Sequence, residues 1–320
     1  MSIKVLFIYP NSFGMNMLPP AIALFSAILK QHNHKVRVFD TTYYKTDHTI
    51  DSDGSKEERL NVVPFKKQMK KKNLEVKDTD WRDDVRKEVD EYKPDLIALS
   101  ATEDMWELGI KILEEIKEYK IANKIPVIAG GVFSTFAPDI CIKSDLVDMV
   151  CVGEGENALI DLCKKIETKK QFSNITNVWI KKNNKIVEKN KISDPVDINK
   201  NPIIDTTLFE ENRLYRPMAG RVYKMFPVET IRGCPFTCTF CNSPSNNTLY
   251  RSEGAGNFYR KKSVKRVAEE LEFMRKHYGP EFIYFVVDTF LAMSDRELDE
   301  FSEMYQSFRI PFWMNTRAET

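Results

Sequence analysis

Short apolar runs alternate with helix-like segments along the first half of the chain, and this alternation limits the possible folds more than any other feature. The five apolar runs cover residues 4–9, 36–39, 95–100, 126–129 and 147–152. Nearly unbroken runs of this length fit strands that are covered on both faces, as in a parallel sheet. Segments with helical spacing lie between them, for example residues 19–29 and 105–119. The pattern predicts an α/β fold with an N-terminal doubly wound parallel sheet.

The residues that follow the predicted strands form the candidate ligand site of this sheet. Ligands of doubly wound sheets bind where the carboxyl ends of the strands open into a crevice. Four segments are expected there, 10–16, 100–104, 130–135 and 153–156, and their glycines let the backbone approach a ligand closely. The candidate contacts are Pro10, Asn11, Ser100, Ala101, Thr102, Gly130, Gly131, Gly153, Glu154 and Gly155.

Charge and apolarity argue against two classes of partner. The 48 basic and 47 acidic residues leave a net charge of +1, so no field of one sign is available to gather nucleic acid. A lysine-rich run at 66–72, inside the polar segment 45–80, is expected on a solvated face. No apolar run approaches the roughly 20 residues of a membrane span, and the N-terminus does not resemble a signal peptide. We expect a cytoplasmic protein that binds neither nucleic acid nor a bilayer.

The chain is long enough for two domains. Residues 1–170 are expected to form the first α/β domain, and residues 221–320 a second one. Residues 171–220 are expected to be a linker with a small β-hairpin near 177–187, because the periodicity breaks down there and an Asn-rich turn appears.

Six cysteines fall into two groups. Cys141, Cys151 and Cys163 are scattered among apolar residues and are expected to be buried core thiols. The other three, Cys234, Cys238 and Cys241, have the spacing C-x3-C-x2-C and can converge on one face of a compact loop. Thiolates suit zinc or an iron–sulfur cluster. A structural zinc site needs four ligands and no fourth is near, so a [4Fe–4S] cluster with one open iron is favoured over zinc.

The segment from Arg232 to Cys241, RGCPFTCTFC, resembles the radical S-adenosylmethionine superfamily, whose motif is C-x3-C-x-aromatic-C. Several features resemble the subgroup that carries an N-terminal cobalamin-binding domain: Tyr9-Pro10, Leu18-Pro19-Pro20, 93–97, Ala129-Gly130-Gly131 and 153–156. The resemblance covers nearly the whole chain. It implies a Rossmann-like sheet of the cobalamin-binding type, followed by the start of a partial (β/α) barrel.

The resemblance also implies cofactors and roles. Cys234, Cys238 and Cys241 correspond to the cluster ligands, and Phe240 to a residue near the adenine of S-adenosylmethionine. Asp288, at the end of the predicted strand 282–287, corresponds to an acidic residue that meets an ammonium group; a structural or helix-capping role is the alternative. Cobalamin would occupy the first domain, a flavodoxin- or ferredoxin-type donor would supply electrons, and the substrate would be a small molecule.

Two features depart from the wider family. The D-x-H-x-x-G motif that gives cobalt a histidine ligand is absent, since His32, His34 and His48 do not fit it; cobalamin would bind with its base off and without such a ligand. After Cys241 the sequence holds about two helix–strand steps, whereas a full eight-unit barrel takes about 250 residues. We therefore expect a truncated barrel, too short for full activity alone.

The family resemblance leaves several functions open. The leading hypothesis is reductive cleavage of S-adenosylmethionine to a 5′-deoxyadenosyl radical, with methyl transfer to an unactivated carbon or phosphorus centre. A cyclase or rearrangement enzyme of the same subgroup and a non-catalytic cobalamin-binding fragment are the alternatives. A methylthiotransferase is disfavoured, because Cys141, Cys151 and Cys163 are too widely spaced to hold a second cluster.

Overall fold

The structure, a computed structural model, describes residues 2–13, 17–46, 66–183, 185–218 and 220–318. Three parts of the sequence predictions lie outside the described residues. They are residues 14–16 of the ligand segment 10–16, residues 47–65 of the polar segment 45–80 (with His48), and the turn residue Asn184. The chain forms two compact units. The first consists of Met1–Asn16, Ala21–Ser193 and Ile204–Glu210, and the second of Met17–Pro20, Asp194–Ile203 and Glu211–Thr320.

The first unit is built on a seven-stranded sheet with the order β2-β1-β3-β4-β5-β6-β7. Its strands are β1 (Lys4–Tyr9), β2 (Lys35–Asp40), β3 (Leu96–Ser100), β4 (Val127–Gly130), β5 (Met149–Cys151), β6 (Val178–Lys182) and β7 (Lys185–Lys189). The first five are parallel to one another, with Val5 opposite Val36 and Leu96. This confirms the doubly wound parallel sheet that the sequence predicts.

Helices connect the parallel strands of the first unit. They are α1 (Pro20–Gln31), α2 (Lys66–Lys71), α3 (Trp81–Tyr92), α4 (Glu103–Glu115), α5 (Lys117–Asn123), α6 (Val132–Phe136), α7 (Pro138–Cys141) and α8 (Glu156–Glu167). Because helices cover the sheet, strand residues such as Leu6, Ile97 and Val150 are fully buried, which explains the unbroken apolar runs. Lys70, Lys71 and Lys72 are exposed, as expected for a solvated face.

The helix predicted at 105–119 is in fact two helices, α4 and α5. Helix α4 begins two residues earlier. There Glu103 and Asp104 place negative charge in the first turn, which stabilises the helix by a favourable interaction with its dipole. It ends at Ile116, whose backbone leaves the helical region (φ −108°, ψ 12°). Ile116 is only 1% exposed, so burial of its side chain accompanies the break.

The predicted hairpin is present and extends the sheet of the first unit. Strand β6 pairs antiparallel with β5, placing Trp179 opposite Val150, and β7 pairs antiparallel with β6. Residues 178–189 therefore add two strands to this sheet, at the edge beside β5.

The second unit contains a four-stranded sheet with the order β13-β12-β9-β8. The strands of this unit are β8 (Tyr215–Met218), β9 (Arg221–Glu229), β10 (Ile231–Arg232), β11 (Arg260–Lys261), β12 (Phe282–Val286) and β13 (Phe312–Met314). Strands β9, β12 and β13 run parallel, so their carboxyl ends lie at one edge of the sheet. Strand β8 is antiparallel to β9, and β10 pairs with β11 as a separate two-stranded ladder.

Three helices belong to the second unit: α9 (Ser243–Ser252), α10 (Val264–Tyr278) and α11 (Asp295–Tyr305). Ser263 is the N-cap of helix α10, and its Oγ accepts a hydrogen bond from the Arg266 N–H. Helix α11 begins with a capping box formed by Ser294 and Glu297. Among the helices that the structure describes, none is both long and apolar enough to cross a membrane.

Candidate functional site

The three cysteines of the C-x3-C-x2-C motif lie on one loop of the second unit. The loop follows β9 and β10 and leads into α9, at the carboxyl edge of the parallel strands. Strand β12 ends shortly before Asp288 and β13 shortly before Arg317. Parallel pairing therefore brings the residues after these three strands to the same edge, as in other α/β ligand sites.

Glycine and asparagine shape the start of this cysteine loop. Gly233 has φ +83°, and a Cβ there would lie 2.8 Å from Cδ1 of Phe258, so only glycine fits without strain. Asn247 of α9 donates a hydrogen bond from Nδ2 to the Cys234 carbonyl oxygen at 2.7 Å. These contacts hold the first cysteine against the helix that follows the loop.

The three thiols differ in exposure. Cys234 is buried, Cys238 is half-buried and Cys241 is exposed, and none of them forms a disulfide. Burial raises the pKa of the Cys234 thiol, and the nearby negative groups Asp288, Cys241 and Cys238 act in the same direction. The three cysteines and Asp288 therefore lie within electrostatic range of one another.

Ser243, the first residue of α9, links two of the predicted site residues. Its backbone N–H donates to Cys241 Sγ with an N···S distance of 3.5 Å. Its hydroxyl, on a side chain that is 3% exposed, donates to Oδ2 of Asp288 at 2.5 Å. A free N–H at a helix start favours an anion such as a thiolate. The sequence analysis missed Ser243, although its place two residues after Cys241 was a usable signal.

Arg317 is a second residue that the sequence analysis missed. Its Nη1 lies 3.8 Å from Cys238 Sγ, and its Cζ lies 4.2 Å from the centroid of the Phe236 ring. Phe240, predicted to lie near adenine, is 92% exposed and is free to contact a ligand with its whole ring.

The donor set of this loop fits an iron–sulfur cluster better than a single metal ion. Over the part of the chain that the structure describes, no three or more His, Cys, Asp or Glu side chains surround one point closely enough to hold a metal ion. In a four-iron cluster each thiolate binds a different iron, so the sulfurs stand apart at separate corners. Three free thiols on one loop match that requirement.

The first unit has a cavity at the carboxyl ends of β3, β4 and β5. Five of the predicted contacts line it: Ser100, Gly130, Gly131, Gly153 and Gly155. Its remaining lining is mostly apolar and comes from Phe7, Phe25, Ala98, Leu99, Ile128, Cys151 and Leu159. The cavity measures about 50 Å³, room for a water molecule or two, so a larger ligand requires the apolar side chains around it to move apart.

The other five predicted contacts do not line this cavity. Pro10 follows β1, and Asn11 donates from its N–H to Thr41 Oγ1 and from Nδ2 to Thr42 Oγ1, both at 2.8 Å. Ala101 packs against Gly131, and Thr102 precedes α4 as its N-cap residue.

Glu154, the last of these five, lies in the loop after β5. Its carbonyl oxygen is 3.8 Å from Cys151 Sγ. All five residues thus stay at the carboxyl edge of the sheet but outside the cavity.

Thr135 forms hydrogen bonds with both glycine segments of the cavity. Its Oγ1 donates to the Gly131 carbonyl oxygen at 3.0 Å and accepts from the Gly153 N–H at 3.1 Å. Gly131 has φ +99°, and a Cβ there would lie 2.8 Å from the Ala101 carbonyl oxygen. Only glycine fits at this position without strain, because the backbone of Ala101 occupies the space that a side chain would need.

The three scattered cysteines are buried, as predicted. Cys141 and Cys163 have no exposed surface and Cys151 is 6% exposed. Burial raises the pKa of Cys141 to about 11 and those of Cys151 and Cys163 to about 12, which keeps these thiols protonated and unreactive.

Comparison with known families identifies the first unit. Residues 56–162 match the model of the B12 binding domain. The glycine-lined edge of the sheet fits this assignment, since most of it lies inside the matched range.

Curated relatives point to the same class of protein. The chain is 28% identical over 219 residues to an uncharacterized methyltransferase of Pyrococcus horikoshii, covering 68% of this chain and 44% of the relative. It is 26% identical over 244 residues to the anaerobic magnesium-protoporphyrin IX monomethyl ester cyclase of Rubrivivax gelatinosus, covering 74% of this chain and 41% of the relative. The chain thus spans less than half the length of both relatives.

Two solved structures share the fold. The cobalamin-dependent S-adenosylmethionine radical enzyme OxsB, with aqua-cobalamin and S-adenosylmethionine bound, matches 97% of this chain and 38% of its own with a TM-score of 0.69 and 17% identity. The radical S-adenosylmethionine methyltransferase TsrM from Kitasatospora setae matches 96% of this chain and 51% of its own with a TM-score of 0.61 and 15% identity.

Together these matches define the fold that this chain adopts. It carries a B12-binding domain, and its fold is that of cobalamin-dependent radical S-adenosylmethionine enzymes. The resemblance stated from the sequence is confirmed for the fold and for the B12-binding domain.

Proposed function

We propose that this chain is part of a cobalamin-dependent radical S-adenosylmethionine enzyme that transfers a methyl group to an unactivated carbon or phosphorus centre of a small molecule. The observation that carries the proposal is the cysteine loop at the carboxyl edge of β9, joined through Ser243 to Asp288. An exposed carboxylate held beside three thiols suits a ligand that carries both an ammonium group and a group that binds metal.

Each residue of the site has a distinct role in this proposal. Cys234, Cys238 and Cys241 hold a [4Fe–4S] cluster. Asp288 accepts a hydrogen bond from the ammonium group of S-adenosylmethionine, and Ser243 keeps its carboxylate in place. Phe240 offers an exposed ring for stacking on adenine.

Two cofactors supply the chemistry that side chains cannot. When bound, the cluster supplies the electron that breaks a carbon–sulfur bond of S-adenosylmethionine to give a 5′-deoxyadenosyl radical, and cobalamin supplies the methyl carrier. In the first unit, Gly130, Gly131, Gly153 and Gly155 provide the backbone surface for cobalamin, with Ser100 at its edge. Pro10, Asn11, Ala101, Thr102 and Glu154 remain proposed contacts around the same strand ends.

Compartment and electron donor belong to the same proposal. Three free thiols on one loop require a reducing compartment, so we place the protein in the cytoplasm. A flavodoxin- or ferredoxin-type protein is the proposed source of electrons.

A cyclase is the second candidate, favoured by the similarity to the magnesium-protoporphyrin IX monomethyl ester cyclase over 74% of this chain. The products of S-adenosylmethionine separate the two candidates. Methyl transfer leaves S-adenosylhomocysteine in addition to 5′-deoxyadenosine, because one molecule donates a methyl group and another is cleaved. Cyclisation leaves 5′-deoxyadenosine and methionine alone.

The test is an anaerobic assay of the reconstituted 320-residue chain with dithionite, hydroxocobalamin and S-adenosylmethionine, with products quantified by mass spectrometry. We expect 5′-deoxyadenosine from the wild type and from Cys141→Ala, a matched change at a buried thiol outside the loop, and none from Cys238→Ala. A wild-type chain that holds its cluster and cobalamin but forms no 5′-deoxyadenosine would contradict catalysis by this chain and favour the non-catalytic cobalamin-binding fragment.

A further inference from the structure

The segment after β13 is fixed against the loop after β12 by backbone contacts. The Phe290 N–H donates to the Asn315 carbonyl oxygen at 2.7 Å, and the Leu291 N–H donates to Thr316 Oγ1 at 3.3 Å. Arg317 follows directly, so its backbone position is set by the pairing of two parallel strands and the loops that extend them.

The guanidinium of Arg317 makes two contacts with the cysteine loop. Nη1 lies 3.8 Å from Cys238 Sγ, and Cζ lies 4.2 Å from the centroid of Phe236. The ring supports the cation by a cation–π contact and limits its movement. A permanently charged group is therefore held beside one particular sulfur of the three.

We propose that Arg317 is a positioning residue that raises the reduction potential of the cluster held by Cys234, Cys238 and Cys241. The inference rests on the proposed function, since it requires a cluster on these thiols. Reduction adds one electron to the cluster, and no bond forms or breaks, so the added negative charge must be stabilised by its surroundings. Hydrogen bonds to the sulfurs and nearby charge are the protein's means of setting this potential.

The location of the charge makes this role specific. Lys261 is occupied by Glu297, with Nζ 2.5 Å from Oε1, and Arg232 is occupied by Glu229, with Nε 2.8 Å from Oε1. Arg317 places its guanidinium against the Cys238 sulfur and the Phe236 ring.

The test is a redox titration of the reconstituted chain, followed by EPR spectroscopy, in wild type, Arg317→Gln, Arg317→Lys and Arg296→Gln. Arg296 is a matched control, because its side chain is 88% exposed on α11 of the same unit. Iron content is measured in each protein first. With equal iron, we expect Arg317→Gln to lower the one-electron reduction equilibrium constant about tenfold, a shift of about 59 mV to lower potential.

The remaining variants locate the cause of the shift. Arg317→Lys keeps the charge but loses the planar fork, and we expect a potential between those of wild type and Arg317→Gln. Arg296→Gln should match the wild type. Equal iron with an unchanged potential in Arg317→Gln would overturn the inference, and so would loss of iron in that variant, which would assign Arg317 a purely structural role. A wild-type chain without iron would instead overturn the proposed function.

Discussion

The side chain of Ser243 donates a hydrogen bond to Asp288 at 2.5 Å while the backbone N–H of the same residue points at Cys241 Sγ from 3.5 Å. One residue thus connects the cysteine loop with the end of strand β12. The geometry fixes the Asp288 carboxylate beside the place where the thiols gather. This relationship supports the proposed contact of Asp288 with an ammonium group, which sequence alone could not separate from a capping role.

Replacement of Asp288 by Asn should weaken the binding of S-adenosylmethionine to the iron-loaded, oxidised chain. A hydrogen bond to a charged group contributes about 1.5–3 kcal/mol, so we expect affinity to fall by about 10- to 100-fold. Ser243→Ala, which frees the carboxylate without removing it, should have a smaller effect. Equilibrium dialysis with labelled S-adenosylmethionine measures both.

Ser252→Ala is the control for these variants, because Ser252 lies at the other end of α9, where its hydroxyl donates to the Leu249 carbonyl oxygen. Its affinity should equal that of the wild type. If Asp288→Asn binds S-adenosylmethionine as tightly as the wild type at equal iron content, Asp288 does not contact the ammonium group.

Replacement by alanine should change the free energy of unfolding differently at the adjacent residues Gly130 and Gly131. Gly131→Ala forces a residue with a Cβ into φ +99° and brings that Cβ to 2.8 Å from the Ala101 carbonyl oxygen, so we expect a loss of about 1–3 kcal/mol in the free energy of unfolding. Gly130→Ala is the matched control, since its Cβ would meet nothing closer than Cys151 Cβ at 3.8 Å. Urea unfolding followed by circular dichroism measures both, and equal losses would show that the Gly131 conformation is not required.

Glu297 should make the stability of the second unit depend on pH in the acid range. Hydrogen bonds from Lys261 and from the Ser294 backbone N–H lower the pKa of Glu297 from 4.5 to about 2. A lowered carboxyl pKa stabilises the folded state above pH 4.5, and this contribution is lost as the pH falls towards 2. Because the side chain is 39% exposed, solvent screening keeps the effect below about 1 kcal/mol.

The variant that tests this linkage is Glu297→Gln, which can keep the capping contacts but has no charge. Its melting temperature should fall less than that of the wild type between pH 5 and pH 2.5, whereas Glu303→Gln, at an exposed position of the same helix, should follow the wild type. If the melting temperatures of wild type and Glu297→Gln fall in parallel with pH, Glu297 is not the source of the acid sensitivity.

The sequence predicted the features that are set by neighbouring residues in the chain, such as buried strands and the cysteine loop. The apolar runs located the five parallel strands, because burial on both faces leaves few polar positions in the inner strands. The spacing of Cys234, Cys238 and Cys241 placed them on one loop, since so short a segment cannot separate them far. Four of the predicted glycines and Ser100 line the cavity, because strand ends are detectable as glycine breaks.

The features that the sequence did not reveal are those that depend on partners distant in sequence. Arg317 reaches Cys238 only because β13 pairs in register with β12, and no local feature of residues 315–317 encodes that pairing. Phe25 enters the cavity lining because α1 packs on the sheet next to Gly155, whose added Cβ would meet its ring at 3.1 Å. The break at Ile116 likewise depends on tertiary burial, which overrides helical spacing.

Metal and cobalamin analysis of the 320-residue chain tests the central claim most directly. The chain is purified anaerobically with iron, sulfide and hydroxocobalamin supplied, iron and cobalamin are quantified, and EPR spectra are recorded after reduction. We predict about four irons and about one cobalamin per chain, with a reduced-cluster signal that changes on addition of S-adenosylmethionine and disappears in Cys234→Ala. Zinc in place of iron, with no such signal, would contradict the account.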